Sequence, residues 1–461
     1  MSVYKRCDIR GQVPTDLHPG QYRAWGQSLG NAVPGGAKFV IGGDVRFSTP
    51  ALLAALGEGL VAAGADVVDL GIVPTPMVYY AKRRLRAEGC AIVTGSHHPP
   101  DENGLKWMLG HQPPASAQVD FLRRGAEQAA RQPAAIGGGR RSLDVSYDYV
   151  AWLQETWVDA RGADATIILD PMHGCWGRRA RRYLQAVYPR VVFSTVRDEP
   201  DPVFRGEIPD CSRPERLEVL CDAVERHRAH LGIAFDGDGD QLALVDDRGV
   251  VLTAEEAAWV FLDSVGCELC NEPFVYDLMF SGCLPQRATQ LGAIALAERS
   301  GDAFIRSRML QSRAIFGAEV NGHYYFRALD GGDDALFAAC WLIDYLAGCG
   351  RSLSELRSGC PAVYLTPDLR LPVQPADGQA IIDRVRNVWS KYPQQSADGV
   401  RVNFPDGWAL VRHSVTESAL TFRFEAGGDD ELACLVKRFC DSIPEIGEDL
   451  WLEFELGPSD H

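Results

Sequence analysis

Residues 214–240, PERLEVLCDAVERHRAHLGIAFDGDGD, contain the pattern that decides the fold. Apolar residues recur at helical spacing through 214–228, and the short apolar run at 231–235 has the length and composition of a buried β-strand. A strand that follows a helix in this way is typical of βαβ units. The stretch therefore predicts an α/β fold in which an acidic loop directly follows a strand.

The same alternation of strands and helices continues through most of the chain. It predicts strands at 38–41, 66–70, 90–94, 165–169, 231–235 and 274–278, and helices at 51–63, 178–186, 214–228 and 254–265. Stacked βαβ units with largely parallel sheets follow from this order. After residue 360 the alternation is lost, and helices at 379–389 and 429–440 predict a smaller α+β unit.

The length of the chain predicts several domains. Its 461 residues, 46% hydrophobic and 23% charged, have a globular composition and exceed what one hydrophobic core usually organises. Breaks are expected in the Pro- and Gly-rich stretch at 132–139, after the turn at 246–249, and near 358–361. We therefore predict four domains, at 1–140, 141–248, 249–358 and 359–461.

The overall charge argues against two classes of partner. A formal net charge of -16 repels nucleic-acid phosphates and anionic lipid headgroups, so we expect neither a nucleic-acid nor a membrane partner. The polar N-terminus lacks the apolar core of a signal peptide, which predicts a cytoplasmic protein. The 13 cysteines are scattered and odd in number, which favours reduced thiols over a disulfide framework.

The acidic loop Asp236, Asp238 and Asp240 is the sharpest chemical signal. In an extended segment, side chains two residues apart point the same way, and the glycines between them allow three carboxylates to converge on one hard cation. This predicts a Mg²⁺ site. An EF-hand loop needs glycine at its sixth position, where this chain has Gln241. A solvated acidic turn is the remaining alternative.

A second signal follows the strand predicted at 90–94, where residues 94–100 read TGSHHPP. Ser96 lacks the GxSxG context of an acyl-transfer nucleophile. A serine near a metal ion can instead accept and return a phosphoryl group. Considered alone, the segment is more often a polar turn, and His97 and His98 are then turn residues or part of a metal site.

These two segments and six others resemble the α-D-phosphohexomutases, in particular the phosphomannomutase/phosphoglucomutase branch. Residues 94–106 read TGSHHPPDENGLK, residues 7–11 read CDIRG, and residues 236–240 read DGDGD. Five further segments follow the family's order and spacing: IGGDVRFSTP from Ile41, LGIVPTP from Leu70, LDPMHG from Leu169, GAEVNGH from Gly317 and VRHSVTE from Val411. The resemblance extends over essentially the whole chain.

The resemblance implies a fold and a reaction. It implies three related α/β domains with mixed or parallel sheets around a central cleft, and a smaller C-terminal α+β domain that closes over the substrate. The implied enzyme is an intramolecular phosphotransferase that interconverts sugar 1-phosphate and 6-phosphate through a phosphoserine and a bisphosphorylated intermediate. The implied partners are a phosphorylated sugar and a sugar-bisphosphate activator, and the implied assembly is a monomer or dimer.

Carried over by position, the resemblance also implies residue roles. Ser96 becomes the phosphoryl carrier, and Mg²⁺ is held by the three aspartates of the acidic loop together with an oxygen on Ser96. Lys106 becomes a proton-transfer or phosphoryl-stabilising group, and Arg10 orients phosphates beside it. Recognition is assigned to two segments, with Glu319, Asn321 and the catalytic His323 in the sugar loop and Arg412, Ser414 and Thr416 in a phosphate clamp. Considered alone, the first segment is an ordinary polar hairpin and the second a surface strand or turn.

Several positions depart from the family's pattern. Gln241 and Thr421 stand where arginine is usual, and Asn321 and Ser418 replace serine and proline, with Arg423 near the lost clamp arginine. A less certain alignment places Met279 at a lysine position and Asp302 at a histidine position. Because four of these changes remove potential positive charge, we expect changed substrate recognition around a retained carrier and metal site.

Two other functions stay open from the sequence. A sugar-bisphosphate synthase or phosphatase would use the same serine, but weaker binding would release the intermediate or expose it to water. A non-catalytic phosphosugar-binding or regulatory protein would keep the fold without the reaction.

Overall fold

The computed structural model describes residues 2–129, 138–158, 162–414 and 419–456. Thr416 and Ser418 lie outside the described residues, as does most of the stretch at 132–139. Within the described ranges, no helix combines the length and the apolar character needed to cross a bilayer.

The first unit is built on a mixed six-stranded sheet. Its strands are β1 (Ile9–Gln12), β2 (Lys38–Gly43), β3 (Asp66–Ile72), β4 (Gly89–Val93), β5 (Glu102–Leu109) and β6 (Arg140–Ser142), and its helices are α1 (Pro19–Asn31), α2 (Thr49–Ala62), α3 (Thr75–Leu85) and α4 (Ser116–Ala129). The strand order is β1-β5-β4-β2-β3-β6, and β5 runs antiparallel to both of its neighbours. Helices cover both faces, so β4 is buried along its whole length.

The second unit contains the stretch quoted at the outset. Its elements are α5 (Ser146–Thr156), β7 (Thr166–Asp170), α6 (Ala180–Val187), β8 (Val192–Thr195), α7 (Glu218–His227), β9 (Leu231–Phe235) and β10 (Leu242–Val245). The order is β10-β9-β7-β8, with β9, β7 and β8 parallel and β10 antiparallel to β9. The predicted helix at 214–228 is divided into a short 3-10 turn, Pro214–Arg216, and α7. The strand at 231–235 is confirmed and fully buried.

The third unit has a five-stranded mixed sheet in the order β12-β11-β13-β14-β15. Its elements are α8 (Ala254–Val265), β11 (Pro273–Asp277), α9 (Cys283–Gln290), β12 (Ile294–Glu298), α10 (Asp302–Ser312), β13 (Phe316–Ala318), β14 (Tyr324–Phe326), β15 (Gly332–Asp333), α11 (Ala335–Cys349) and α12 (Leu353–Arg357). Thr253 and Glu256 form a reciprocal capping box that fixes the start of α8 where the sequence places it.

All strand pairs described in the C-terminal unit are antiparallel. Its elements are β16 (Tyr364–Leu365), β17 (Leu369–Pro372), α13 (Pro375–Val388), β18 (Gln394–Gln395), β19 (Val400–Phe404), β20 (Gly407–His413), β21 (Ala419–Ala426), α14 (Asp429–Asp441) and α15 (Gly447–Leu456). Three mixed-sheet α/β units and a smaller α+β unit therefore confirm the predicted fold class.

The hydrophobic core is divided unequally. One continuous apolar cluster runs from the first unit through the second and into the third. The C-terminal unit has a separate core of its own. Met279, Trp408 and Leu410 form a small apolar contact between the third and fourth units. Next to it Arg401 stacks on Trp408 at 3.8 Å and donates to the carbonyls of Leu278 and Phe280.

Candidate active site

Ser96 lies in a buried loop just after β4. Its backbone has a φ of 50°, in the left-handed region that non-glycine residues seldom adopt. Its Oγ donates to Oδ2 of Asp236 at 2.9 Å, and its backbone N–H donates to Oγ1 of Thr94 at 2.7 Å. The serine hydroxyl predicted as a phosphoryl carrier therefore contacts the predicted metal loop of the next unit.

A buried ion pair holds the serine loop in place. Asp44 and Arg46 follow β2 and are fully buried, and Nε of Arg46 donates to Oδ2 of Asp44 at 2.9 Å. A Cβ on Gly95 would lie 2.4 Å from this Nε, so only glycine fits there. The guanidinium also donates to four backbone carbonyls of the loop, those of Ser96, His98, Pro99 and Glu102. One arginine thus fixes most of the loop's backbone.

The acidic loop after β9 brings its three carboxylates together. Carboxylate oxygens of Asp236, Asp238 and Asp240 lie within 4.8 Å of one another, and all three residues are buried. Oδ1 of Asp236 accepts the backbone N–H groups of Gly239, Asp240 and Gln241 at 2.9, 3.1 and 3.2 Å. The backbone of the loop therefore curls around its first aspartate, which replaces the extended geometry expected from the sequence.

Charge crowding in the loop indicates a cation. Burial and the neighbouring aspartates raise the pKa of Asp236 well above its usual range, and burial raises that of Asp240 to about 7. Among the described residues, Oδ1 of Asp238 and Oδ1 of Asp240 are buried without a hydrogen-bond partner. Unpartnered carboxylate oxygens of this kind are the ligands that Mg²⁺ prefers, so the residues present fit the ion.

Lys106 and Arg10 bring positive charge to the same place. Nζ of Lys106 donates to Oδ2 of Asp238 at 3.2 Å and to Oδ2 of Asp240 at 2.6 Å. Burial acts to lower the pKa of Lys106, but the two carboxylates outweigh it and raise the pKa well above its usual range. Arg10 donates to Asp8 at 2.8 Å and to the carbonyl of Thr94 in the serine loop.

His323 is joined to the acidic loop through Gln241. Its Nδ1 lies 2.6 Å from Oδ2 of Asp333 and 3.8 Å from Oδ1 of Asp240, and its Nε2 lies 2.8 Å from Nε2 of Gln241. Oε1 of Gln241 is buried with no partner in the described part of the chain. A half-turn of the amide would place this oxygen against Nε2 and satisfy both groups. Burial acts to lower the pKa of His323, but the surrounding carboxylates raise it well above its usual range.

The sugar loop presents a buried carboxylate. Glu319 accepts the backbone N–H of Gly301 at 2.9 Å, the hydroxyl of Tyr325 at 3.0 Å and the amide of Asn321 at 3.4 Å. Burial raises its pKa to about 7, against the opposing charge of His323. Asn321 is exposed and reaches the cleft.

Two of the predicted clamp residues, Arg412 and Ser414, face the same cleft from the fourth unit. The cleft has a volume of about 760 Å³, and its lining includes Arg10, Ser96, Lys106, Glu319, His323 and Arg412. Ser414 and Thr421 also line it, and Arg412 forms an ion pair with Asp398 at 3.2 Å. The three aspartates lie behind this lining.

The altered positions are distributed unevenly around the cleft. Gln241, Thr421 and Asp302 line it, whereas Met279 is buried against the fourth unit. Arg423 donates to the carbonyls of Met279 and Thr366 and lines a neighbouring cavity of about 960 Å³. Its guanidinium is therefore bound to backbone carbonyls and, unlike Thr421, does not line the cleft itself.

His97 and His98 have different surroundings in the structure. Nδ1 of His98 pairs with Glu102 at 2.8 Å, which makes it a turn residue of the loop. The ring of His97 lies 3.5 Å from Oγ of Ser96, and burial lowers its pKa to about 3. Neither residue belongs to a metal-ligand cluster among the described residues.

Sequence reasoning missed several supports of the site. Asp44 and Arg46 lie in the family-like segment from Ile41, and Thr75, whose hydroxyl donates to Asp238 at 2.7 Å, lies in the segment from Leu70. Both segments had been recognised as family-like, but nothing in their sequence indicated that Asp44, Arg46 and Thr75 support the site. Asp333 had no signal at all, because its contact with His323 depends on how β15 pairs in the sheet.

Comparisons with known proteins agree with this geometry. Four family models match the chain: phosphoglucomutase/phosphomannomutase alpha/beta/alpha domains I at 2–122, II at 148–249 and III at 255–364, and the C-terminal domain at 369–442. The chain is 29% identical over 459 residues to a phosphomannomutase/phosphoglucomutase of Pseudomonas aeruginosa, covering 98% of each chain. It is 29% identical to a phosphoglucomutase of Neisseria gonorrhoeae, covering 97% of this chain and 98% of that one.

A solved structure extends the similarity to three dimensions. A phosphoglucomutase/phosphomannomutase family protein of Burkholderia thailandensis superposes with a TM-score of 0.86 at 29% identity and covers 97% of both chains. A serine hydroxyl beside an acidic loop that fits Mg²⁺ is an arrangement that phosphoryl transfer through a serine would require. The chain belongs to the phosphoglucomutase/phosphomannomutase family, whose members are intramolecular phosphotransferases that interconvert sugar 1- and 6-phosphates.

Proposed function

We propose that Ser96 is the phosphoryl carrier of this mutase and that it works against a metal ion bound by Asp236, Asp238 and Asp240. The observation that carries the proposal is the 2.9 Å hydrogen bond from Oγ of Ser96 to Oδ2 of Asp236, next to unpartnered oxygens of the other two aspartates. Bound Mg²⁺ would offset negative charge on the transferring phosphoryl group.

The serine loop supports transfer because its backbone is already fixed. Arg46 binds four carbonyls of the loop, and Asp44 accepts the N–H of Gly95 at 2.9 Å. A nucleophile held in a sparsely populated conformation needs little reorganisation before it reacts. In each half-reaction the bond between phosphorus and Oγ breaks while a bond to a sugar oxygen forms, or the reverse.

Lys106 is proposed to stabilise the phosphoryl oxygens. Two carboxylates lie within hydrogen-bond reach of its Nζ, an arrangement that favours the charged ammonium. A charged ammonium can donate to phosphoryl oxygens as negative charge builds on them. Arg10, which lines the same cleft, is proposed to orient the phosphate beside it.

The opposite side of the cleft is proposed to select and hold the sugar. Glu319 can accept bonds from vicinal hydroxyls, and His323 can donate to a sugar oxygen or move a proton. Asn321 is proposed to influence which hydroxyl pattern fits. For the phosphate that does not react, we propose a clamp formed by Arg412, Ser414 and Thr416, although Thr416 lies outside the described residues.

The substrate is proposed to be a hexose phosphate, with glucose and mannose phosphates as the first candidates because relatives bear those names. We further propose activation by a sugar bisphosphate, a monomer or dimer, a cytoplasmic location, and domain boundaries near 140, 248 and 358.

The test follows the position of phosphate by ³¹P nuclear magnetic resonance. Purified protein is incubated with Mg²⁺, catalytic glucose 1,6-bisphosphate and, in turn, the 1-phosphates of glucose, mannose, glucosamine and N-acetylglucosamine. We expect at least one to be converted to its 6-phosphate. Release of free bisphosphate would indicate a synthase, release of inorganic phosphate a phosphatase, and no reaction with any sugar would contradict the proposal.

A further inference from the structure

A second group of metal-ligand side chains adjoins the acidic loop. Within the described ranges, ligand atoms of Asp240, His323 and Asp333 come within 4.8 Å of one another, and all three residues are buried. The group shares Asp240 with the acidic loop but adds an imidazole, which the acidic loop lacks. We propose that these three residues form a second metal site, next to the proposed Mg²⁺ site, for a borderline divalent ion such as Zn²⁺.

The atoms of this group are spaced for one small ion. Nδ1 of His323 lies 2.6 Å from Oδ2 of Asp333 and 3.8 Å from Oδ1 of Asp240. Two ligand atoms on a tetrahedral Zn²⁺ lie about 3.3 Å apart, because each bond is about 2.0–2.1 Å long. The two observed separations lie on either side of this value. Small side-chain movements would therefore bring all three atoms to bonding distance of one ion.

Asp240 supplies an oxygen that lacks a partner. The residue is only 2% exposed, and its Oδ1 has no hydrogen-bond partner among the residues that the structure describes. Its other oxygen, Oδ2, accepts a hydrogen bond from Nζ of Lys106 at 2.6 Å. Oδ1 is the oxygen that faces Nδ1 of His323. A buried carboxylate oxygen without a donor is costly, and a cation between it and the imidazole removes that cost.

Gln241 orients the histidine for an ion at Nδ1. Nε2 of His323 lies 2.8 Å from the amide nitrogen of Gln241, whose Oε1 is buried with no partner in the described chain. A histidine that binds a metal through Nδ1 carries its proton on Nε2 and donates it to a neighbouring acceptor. With the amide turned by half, Oε1 is that acceptor. An ion at Nδ1 therefore leaves neither the oxygen of Asp240 nor that of Gln241 unpaired.

The departure from the family's pattern at position 241 favours the second ion. The usual arginine has only donors, so it would require Nε2 of His323 as an acceptor and would confine the ring proton to Nδ1. A proton on Nδ1 pairs with Asp333 and excludes a metal ion from that nitrogen. Gln241 can accept the proton of Nε2 instead, and it removes a positive charge that would repel the ion. The site is therefore a consequence of the glutamine in this chain.

The ligand types and the position of the group favour Zn²⁺. One imidazole with two carboxylates suits Zn²⁺, whereas Mg²⁺ prefers oxygen ligands alone. His323 lines the cleft of about 760 Å³, which gives an ion a path from solvent and leaves room for water as a further ligand. On binding, the lone pair of Nδ1 forms the bond to the ion, and the proton that it replaces leaves to solvent.

Equilibrium binding tests the site without any measurement of turnover. The full chain carries Cys267→Ser and Cys270→Ser, which remove two exposed thiols that would compete for Zn²⁺, and Zn²⁺ is titrated by calorimetry in a large excess of Mg²⁺. We expect a Zn²⁺ site that Asp333→Asn weakens at least tenfold, because a ligand is lost. Asp302→Asn removes a cleft carboxylate outside the group and should leave the affinity unchanged.

Thermal unfolding of each variant shows that it is folded, so a loss of binding can be assigned to the site. If folded Asp333→Asn binds Zn²⁺ as tightly as the background protein does, the ion is held by the acidic loop or by other thiols. That result overturns the proposal.

Gln241 gives a second test in the same background. Gln241→Arg should remove Zn²⁺ binding from this site, because the guanidinium repels the ion and confines the ring proton to Nδ1 of His323. Gln241→Met removes the acceptor without adding a charge and should weaken binding on the order of tenfold. An unchanged Zn²⁺ affinity in Gln241→Arg would contradict the role given to the glutamine.

The consequence for turnover rests on the proposed function. Zn²⁺ on His323 engages a group that is proposed to act on the sugar, so it should lower turnover several-fold in excess Mg²⁺, and a zinc-selective chelator should restore it. Zn²⁺ binding with undiminished turnover overturns this inhibition. A chain that converts no sugar phosphate, yet loses Zn²⁺ binding in Asp333→Asn, contradicts the proposed function and still supports the second metal site.

Discussion

The two sides of the cleft are built in contrasting ways. Around Ser96 the chain is buried, the unit that carries it shares an apolar cluster with the second and third units beside a core of its own, and Arg46 fixes the loop from within. Around Arg412 the side chain is partly exposed, and the unit that carries it has a separate core. That unit meets the others through a small apolar contact and through polar groups such as Arg401 and Glu425.

This difference accounts for some of the changed positions, but not for those at the buried Gln241 and Met279. The proposed carrier and metal residues share a buried interior in which a substitution would leave buried charges unpaired, a change that costs much stability. Asn321, Asp302 and Thr421 line the cleft, so they can differ from the family's usual residues without disturbing the hydrophobic core. A rigid reaction site beside a recognition surface that tolerates substitution would suit a mutase with a changed substrate choice.

Loss of the metal ion should have the largest effect and should be confined to the serine side. Chelation of Mg²⁺, or Asp238→Asn, should lower turnover on the order of 10³-fold, because charge stabilisation worth several kcal/mol is lost. Turnover measured with and without added Mg²⁺, together with calorimetric Mg²⁺ binding, checks this. Asp302→Asn removes a carboxylate from the other side of the cleft and should leave Mg²⁺ binding unchanged. Equal loss of binding in both variants would contradict the assigned site.

Removal of the buried guanidinium tests the rigidity of the serine side. Arg46→Met should lower the free energy of unfolding by about 3–5 kcal/mol, because Asp44 and four carbonyls lose their buried partner. Denaturant-induced unfolding measures the change. Arg23→Met, which breaks an exposed pair with Glu58, should change it by less than about 1 kcal/mol. If Arg46→Met changed the free energy of unfolding as little as Arg23→Met does, the serine loop would not depend on Arg46.

Kinetics should separate the two sides. Lys106→Met should lower kcat by about 10²-fold, because a donor to the transferring phosphoryl group is lost. Arg412→Ala should instead raise KM by about tenfold with a smaller change in kcat, since it removes binding common to ground state and transition state. Arg412→Lys should recover part of the affinity. The comparison fails if Arg412→Ala lowers kcat as strongly as Lys106→Met does.

The smallest effect is expected at Gln241, where the two sides meet. Its amide lies 2.8 Å from Nε2 of His323 in a buried setting. Arginine can only donate there and adds a charge beside a histidine whose pKa is already raised, so Gln241→Arg should lower turnover a few-fold. Gln241→Met keeps the volume and separates the loss of the hydrogen bond from the added charge. A clear gain in Gln241→Arg would instead identify a weakened conventional mutase.

Much of the serine side could be predicted from the sequence because its signals are local. The spacing of the aspartates after a β-rich run and the segment around Ser96 are each contained within a few consecutive residues. The supports of these groups were not predictable in the same way. Arg46 acts on carbonyls some fifty residues away in the chain, as its bond to Ser96 shows, and only the pairing of β2 with β4 brings them together.

The recognition side was less accessible to sequence reasoning for a related reason. His323 was identified, but Asp333 reaches it only because β15 pairs with β14, and Gln241 reaches it only because the second unit packs against the third. Arg423 is two residues from Thr421 and was a reasonable substitute for a lost arginine. The two side chains share one face of β21, but Arg423 lies further along the strand, where it donates to the carbonyl of Met279 and lines the neighbouring cavity.

Intact-mass measurement of Ser96 phosphorylation tests the central claim most directly. The protein is treated with glucose 1,6-bisphosphate and Mg²⁺, its mass is recorded, and the modified peptide is sequenced by fragmentation. We predict a single phosphoryl adduct on Ser96 that disappears when an accepted sugar phosphate is added, and no adduct in Ser96→Ala. An unmodified Ser96, or an adduct on another residue that turns over while Ser96→Ala remains active, would contradict the assignment of Ser96 as the carrier.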